Sequence, residues 1–136
     1  MGQQQLLLLV MGIVIVGFAV MAAFAMSDST LRQSAADNLV DRNLTIATEA
    51  VFWKQKRDPF SGGNASYAGL ATDGMQKLFL GEETLMGYFK ITDASDSELE
   101  ITAISLRYPE LGVRTFVEGY EVVATNIAYD GSITSE

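Results

Sequence analysis

The chain has no cysteine and no histidine among its 136 residues. Without cysteine there is no disulfide framework, thiol nucleophile or thiolate metal site. Without histidine the commonest general base and the commonest zinc ligand are missing as well. Proline occurs only at Pro59 and Pro109, so no helix breaker stands before residue 59. Residues 1–26 contain no Lys, Arg, Asp or Glu. There is no P-loop, no dinucleotide fingerprint and no nucleophile elbow. These absences predict a non-enzyme with no catalytic residues, no cofactor and no metal.

Charge of one sign is also scarce. Nine Lys and Arg face seventeen Asp and Glu, a net of −8. Residues 27–58 balance five basic groups (Arg32, Arg42, Lys54, Lys56, Arg57) against five acidic ones. The whole excess therefore lies in residues 59–136, with four basic and twelve acidic side chains. An acidic module repels phosphate backbones, so no nucleic acid partner is expected.

What is present is a long apolar run. Leu6 to Met26 is 21 residues without a charge or a polar side chain. As a helix at about 1.5 Å per residue it spans roughly 30 Å, the thickness of a bilayer core. Burying its large side chains is worth about 1.5–3 kcal/mol each, so tens of kcal/mol keep the segment out of water. A secretory signal is a poor fit, because Met1 to Gln5 carry no Lys or Arg and the run exceeds the usual 7–15 residues. A simple spanning helix fits by length, but neither flank supplies the usual Lys or Arg, a gap that a removed basic leader would explain.

The pattern continues beyond the run. Leu31, Ala35, Leu39, Val40, Ala47, Ala50 and Val51 recur at helical spacing, with Arg32, Asp37, Asp41, Arg42 and Glu49 mostly on the other face. One helix of about 55 residues is predicted, reaching about Arg57. Lys54-Gln55-Lys56-Arg57 reads as a solvated cationic C-terminus, and Asp58-Pro59 as the stop.

An uncharged apolar helix running into an amphipathic half, then a small β-rich module, resembles the type IV pilins. The resemblance implies a structural subunit whose apolar half-helices bundle into a filament core. It implies a homopolymer in a helical filament, inserted in the inner membrane before assembly and handled by an assembly machinery. It also implies an extracellular position at the cell surface. The subunit interface would then comprise Gln3, Gln4, Gln5, Leu6, Leu9, Gly12, Ile13, Val16, Gly17, Val20 and Phe24. If Met1 is the first mature residue, the family's glutamate at the fifth mature position is replaced here by Gln5, a departure that keeps a hydrogen-bonding group but loses the ion-pair term. The family's helix-breaking proline is absent, with Ala22 and Ala23 in that region, so an unbroken helix is expected. The alternatives are a single-pass anchored protein with a small acidic binding domain, or a minor pseudopilin of a secretion system.

The expected fold is α+β, a long N-terminal helix against a small antiparallel sheet. Its parts are an apolar helix (1–26), an amphipathic continuation (27–57), a Gly-rich connector (58–83) and a β-meander (84–136). In the connector a short helix or turn is expected over 72–80, capped by Thr72 or Asp73 and ending at Gly81, with Phe60, Tyr67 and Leu70 pinning the loop. Period-two patterning predicts strands at 85–92, 98–108, 113–118 and 121–129. The apolar face of the second strand switches from Leu99, Ile101 and Ala103 to Ile104, Leu106 and Tyr108, which predicts a bulge or a twist near Ala103-Ile104.

Two smaller motifs remain. Asp93, Asp96, Glu98 and Glu100 form a carboxylate-rich hairpin tip, but the spacing lacks the length and glycine of a calcium loop. Asn43-Leu44-Thr45 and Asn64-Ala65-Ser66 match the N-glycosylation triplet. Asn64, in a Gly-rich loop, is the better acceptor.

Overall fold

The computed structural model describes residues 2–57 and 62–134. Helix α1 runs from Gly2 to Gln55, 54 residues without interruption. Nothing in the segment opposes a helix: it is rich in Ala, Leu and Met, and it contains no proline. Gly12 and Gly17 cost about 1 kcal/mol each relative to alanine, which a helix this long tolerates. Thr30, Thr45 and Thr48 donate their hydroxyls to the carbonyls of Met26, Asp41 and Leu44, so none leaves a polar atom stranded on the helix.

The chain divides into two compact units, residues 1–33 and 34–136, with the boundary inside α1. The first unit is helix alone. In the second, the remainder of α1 packs on a four-stranded sheet and buries Ala36, Leu39, Asn43, Ile46, Ala47, Ala50 and Trp53. Ala35, Val40 and Val51 flank that stripe half-buried.

The sheet consists of β1 (Gly87–Ala94), β2 (Glu98–Ser105), β3 (Gly112–Glu118) and β4 (Glu121–Ala128). Its order is β1-β2-β3-β4 with every neighbour antiparallel, the meander that short links dictate. Phe89 and Ile91 of β1, Leu99, Ile101 and Ala103 of β2, and Val113, Thr115 and Val117 of β3 form the buried face. The opposite face is polar at its centre, where Arg114 Nε meets Glu100 Oε1 at 3.0 Å.

Two bulges shape the sheet, and neither lies at Ala103-Ile104. The register skips Thr92 between Ile91↔Ile101 and Asp93↔Glu100, and it skips Val123 between Phe116↔Ala124 and Val117↔Val122. The second strand keeps its phase because Ser105, not Ile104, takes the next buried seat. Its hydroxyl accepts the Tyr108 N–H, which makes a polar residue acceptable there, and Ile104 is left half-covered on the outer face. Apolar patterning misplaced the phase because a small, hydrogen-bonded serine fills the inner position.

The connector also differs from expectation. Helix α2 is only Gly74–Lys77, preceded by a 3₁₀ turn over Ala68–Ala71. Asp73 stands in the left-handed region (φ 52) and makes no side-chain cap. Phe79 is also left-handed (φ 58), which lets the Leu80 N–H reach back to the Met75 carbonyl and closes the helix early. Tyr67 and Leu70 are fully buried and do pin the loop, while Phe60 lies outside the described residues. The helical stop at Asp58-Pro59 also lies outside them, but α1 has already ended at Gln55.

Candidate assembly surface

The sequence-predicted interface residues all lie on the first unit of α1. Gln3, Gln4 and Gln5 are helical and exposed. Every large apolar side chain from Leu6 to Met26 is between 47% (Val20) and 73% (Phe24) exposed. The most apolar part of the helix has a mean hydropathy of 2.9 with none of it buried, long and apolar enough to cross a membrane. A helix that is apolar all round must be enclosed on every side, by lipid or by other helices.

At about 100° per residue, Leu6, Leu9, Gly12, Ile13, Val16, Gly17, Val20 and Phe24 share one side of the helix. Four of them, Leu9, Gly12, Ile13 and Val16, line a shallow hollow of about 410 Å³ together with Leu8. Gly12 contributes no side chain to it. No heavy atom stands within 4 Å of where a Cβ at Gly12 would lie, so the helix is free to receive a knob there. Gly17 is equally open.

The far end of α1 is built differently. The Lys56 N–H reaches the Phe52 and Trp53 carbonyls, and the loop returns further N–H groups to this end. Gly63 N–H donates to Trp53 O at 2.9 Å, Ala65 N–H to Lys54 O at 2.8 Å and Asn64 N–H to Lys56 O at 3.1 Å. The carbonyls of Phe52, Trp53 and Lys54, orphaned at the helix terminus, thereby receive backbone N–H groups. Asn64 and Ala65 both adopt positive φ (51 and 69) to aim these groups. Gly63 is held so close that a Cβ would stand 2.4 Å from the Ser66 carbonyl and 2.7 Å from the Trp53 ring.

Lys54 corrects the reading of residues 54–57 as a solvated run. Lys56 and Arg57 are exposed, but Lys54 is only 5% exposed. Its Nζ lies 4.4 Å from the Tyr67 ring centroid and 4.6 Å from that of Tyr120, and it donates to the Gly119 carbonyl at 3.4 Å. The same carbonyl accepts the Tyr67 hydroxyl. Burial, and secondarily Tyr120, push the Tyr67 phenol above its ordinary 10.0. The cluster ties the end of α1 to the β3–β4 turn. Its signal was present in the sequence, since Lys54 lies four residues after the buried Ala50, but the charge overrode the periodicity.

Asn43 is a second polar residue on the buried stripe, four positions after Leu39. It is fully buried with its amide committed to Thr115. Two of the carboxylates at the β1–β2 end have protein partners. Asp96 Oδ1 accepts the Ser66 hydroxyl at 2.8 Å, and Glu100 takes Thr92 and Arg114. Among the described residues no group of Asp and Glu is arranged to hold a metal ion. Asp93, Glu98, Glu100 and Glu118 instead rim an open cleft of about 390 Å³ floored by Phe116, Val123 and Ala124.

Compared with protein-family models, with curated proteins and with solved structures, the chain matches none. The molecule is therefore a small α+β protein with a membrane-capable N-terminal helix, and its own geometry has to carry the functional reading.

Proposed function

We propose that the chain is a structural subunit of a type IV pilin-like extracellular filament. The observation that carries this reading is one helix serving two environments. From Ala35 onward α1 buries one stripe against its own sheet, whereas from Leu6 to Met26 it buries nothing. Neighbouring copies enclosing the uncovered half would remove its apolar surface from water, worth tens of kcal/mol per subunit at about 1.5–3 kcal/mol per large side chain. The hollow at Gly12 gives such a bundle a place for close helix approach. Shearing cells and imaging the supernatant tests the reading. Filaments containing this chain support it, and a chain confined to the membrane fraction overturns it.

A second reading rests on the length of the same helix, which suffices to span a bilayer. In that reading the chain is a single-pass membrane protein presenting its acidic β module as a binding domain. Detergent extraction distinguishes the two, because this reading gives a monomer and no surface polymer.

A further inference from the structure

We propose that Asn64 is an acceptor for an N-linked glycan; the inference rests on the filament reading only in placing the β module outside the cytoplasm. The chain contains two Asn-x-Ser/Thr triplets, and the fold treats them oppositely. Asn43 is fully buried in mid-helix, and its Nδ2 already donates to Thr115 Oγ1 at 3.2 Å. No transferase reaches that amide without lifting α1 off the sheet. Asn64 is exposed, in the turn that follows α1. Its backbone N–H is committed to Lys56 O, while its side-chain amide makes no hydrogen bond among the described residues.

The local geometry fits acceptance. Positive φ at Asn64 and Ala65 turns the backbone N–H groups toward the helix end and leaves the Asn64 side chain in water. A left-handed asparagine is common in such turns, which accounts for residue 64. Ser66, two residues on, is half-buried: its hydroxyl donates to Asp96 Oδ1 at 2.8 Å and accepts the Ala68 N–H at 3.1 Å. Rotating that one side chain frees the hydroxyl for a transferase, and no core residue has to move.

The reaction needs a lipid-phosphate-linked glycan as donor and a host transferase. Asn64 Nδ2 forms a bond to the anomeric carbon of the first sugar, the bond from that carbon to the donor's phosphate oxygen breaks, and the lipid phosphate leaves with the electron pair. The amide nitrogen gives up one proton. Attachment adds a bulky polar group at a solvent-facing turn and costs the core nothing.

Trypsin separates the two triplets, since cleavage after Arg42 and Lys54 yields residues 43–54 and cleavage after Arg57 and Lys77 yields 58–77. Mass spectrometry of the chain isolated from its own cells is expected to show whole sugar residues added to peptide 58–77 and none on 43–54. Asn64→Gln should abolish the addition, and Ser66→Thr, which preserves the triplet, should keep it. Protease added to intact cells provides the control. An unmodified 58–77 peptide from a module the protease digests overturns this inference and leaves the filament reading standing. An unmodified peptide from a protected module overturns both.

Discussion

Asn43 on α1 donates from Nδ2 to Thr115 Oγ1 on β3 at 3.2 Å, and both residues are fully buried. Asn43 Oδ1 is buried with no hydrogen-bond partner among the described residues, so the pair is only half satisfied. Its value lies in fixing how α1 is seated on the sheet, because sliding by one turn would strand the amide in apolar surroundings. Thr115→Val is expected to cost about 1–3 kcal/mol by leaving the Asn43 amide unpaired, whereas Asn43→Leu with Thr115→Val should recover most of it. Urea unfolding of the detergent-solubilised single and double variants checks this. An additive double variant would show that the pair is not coupled.

Lys54 gives a second test, because its neighbours in sequence serve as controls. Lys54→Met retains the apolar stem but loses the contacts with Tyr67, Tyr120 and the Gly119 carbonyl. A loss of about 1–2 kcal/mol is expected. Lys56→Met, on an exposed side chain, should stay within about 0.5 kcal/mol. Equal effects at the two positions would return Lys54 to the solvent.

The buried phenol beside it makes stability pH-dependent on the alkaline side. The Tyr67 pKa is raised above 10.0 in the folded state, first by burial and then by Tyr120. The folded state therefore holds this proton more tightly than the unfolded chain. Its contribution is complete below about pH 10 and is lost as pH rises through the folded-state value. Tyr67→Phe should flatten the fall in thermal stability above pH 10. In ultraviolet titration it should also remove a tyrosine that ionises above the ordinary 10.0.

Gly87 is required by close approach. A Cβ there would stand 2.1 Å from the Ile104 carbonyl oxygen, a backbone atom of the neighbouring strand. Gly87→Ala should cost more than about 2 kcal/mol by prying β1 from β2. Gly81→Ala, whose nearest contact would be 3.6 Å away, should be nearly silent.

Much of this fold was readable because two periods carry it. The switch from helical spacing through Val51 to alternation after Thr84 placed the long helix and all four strands to within a few residues at their ends. What escaped reading depended on single polar atoms. Ser105 takes a buried seat because its hydroxyl caps the next turn, Asn43 because Thr115 faces it, and Lys54 because two rings and a carbonyl enclose it. Each looked like surface by residue type and is core by partner. The left-handed residues on either side of α2, Asp73 at its start and Phe79 past its end, likewise bound the helix in a way that no helix propensity encodes. The exposed apolar helix was the most legible part, since a charge-free stretch needs no partner atom to be recognised.

The absence of cysteine makes the central claim directly measurable, because any introduced thiol is unique. Placing cysteines at Leu9 and Val20 and treating intact cells with a membrane-permeant bifunctional thiol reagent tests whether copies of Leu6–Met26 pack against one another. The filament account predicts a ladder of covalent multimers extending well beyond the dimer. A chain whose thiols react yet which runs only as monomer would contradict it.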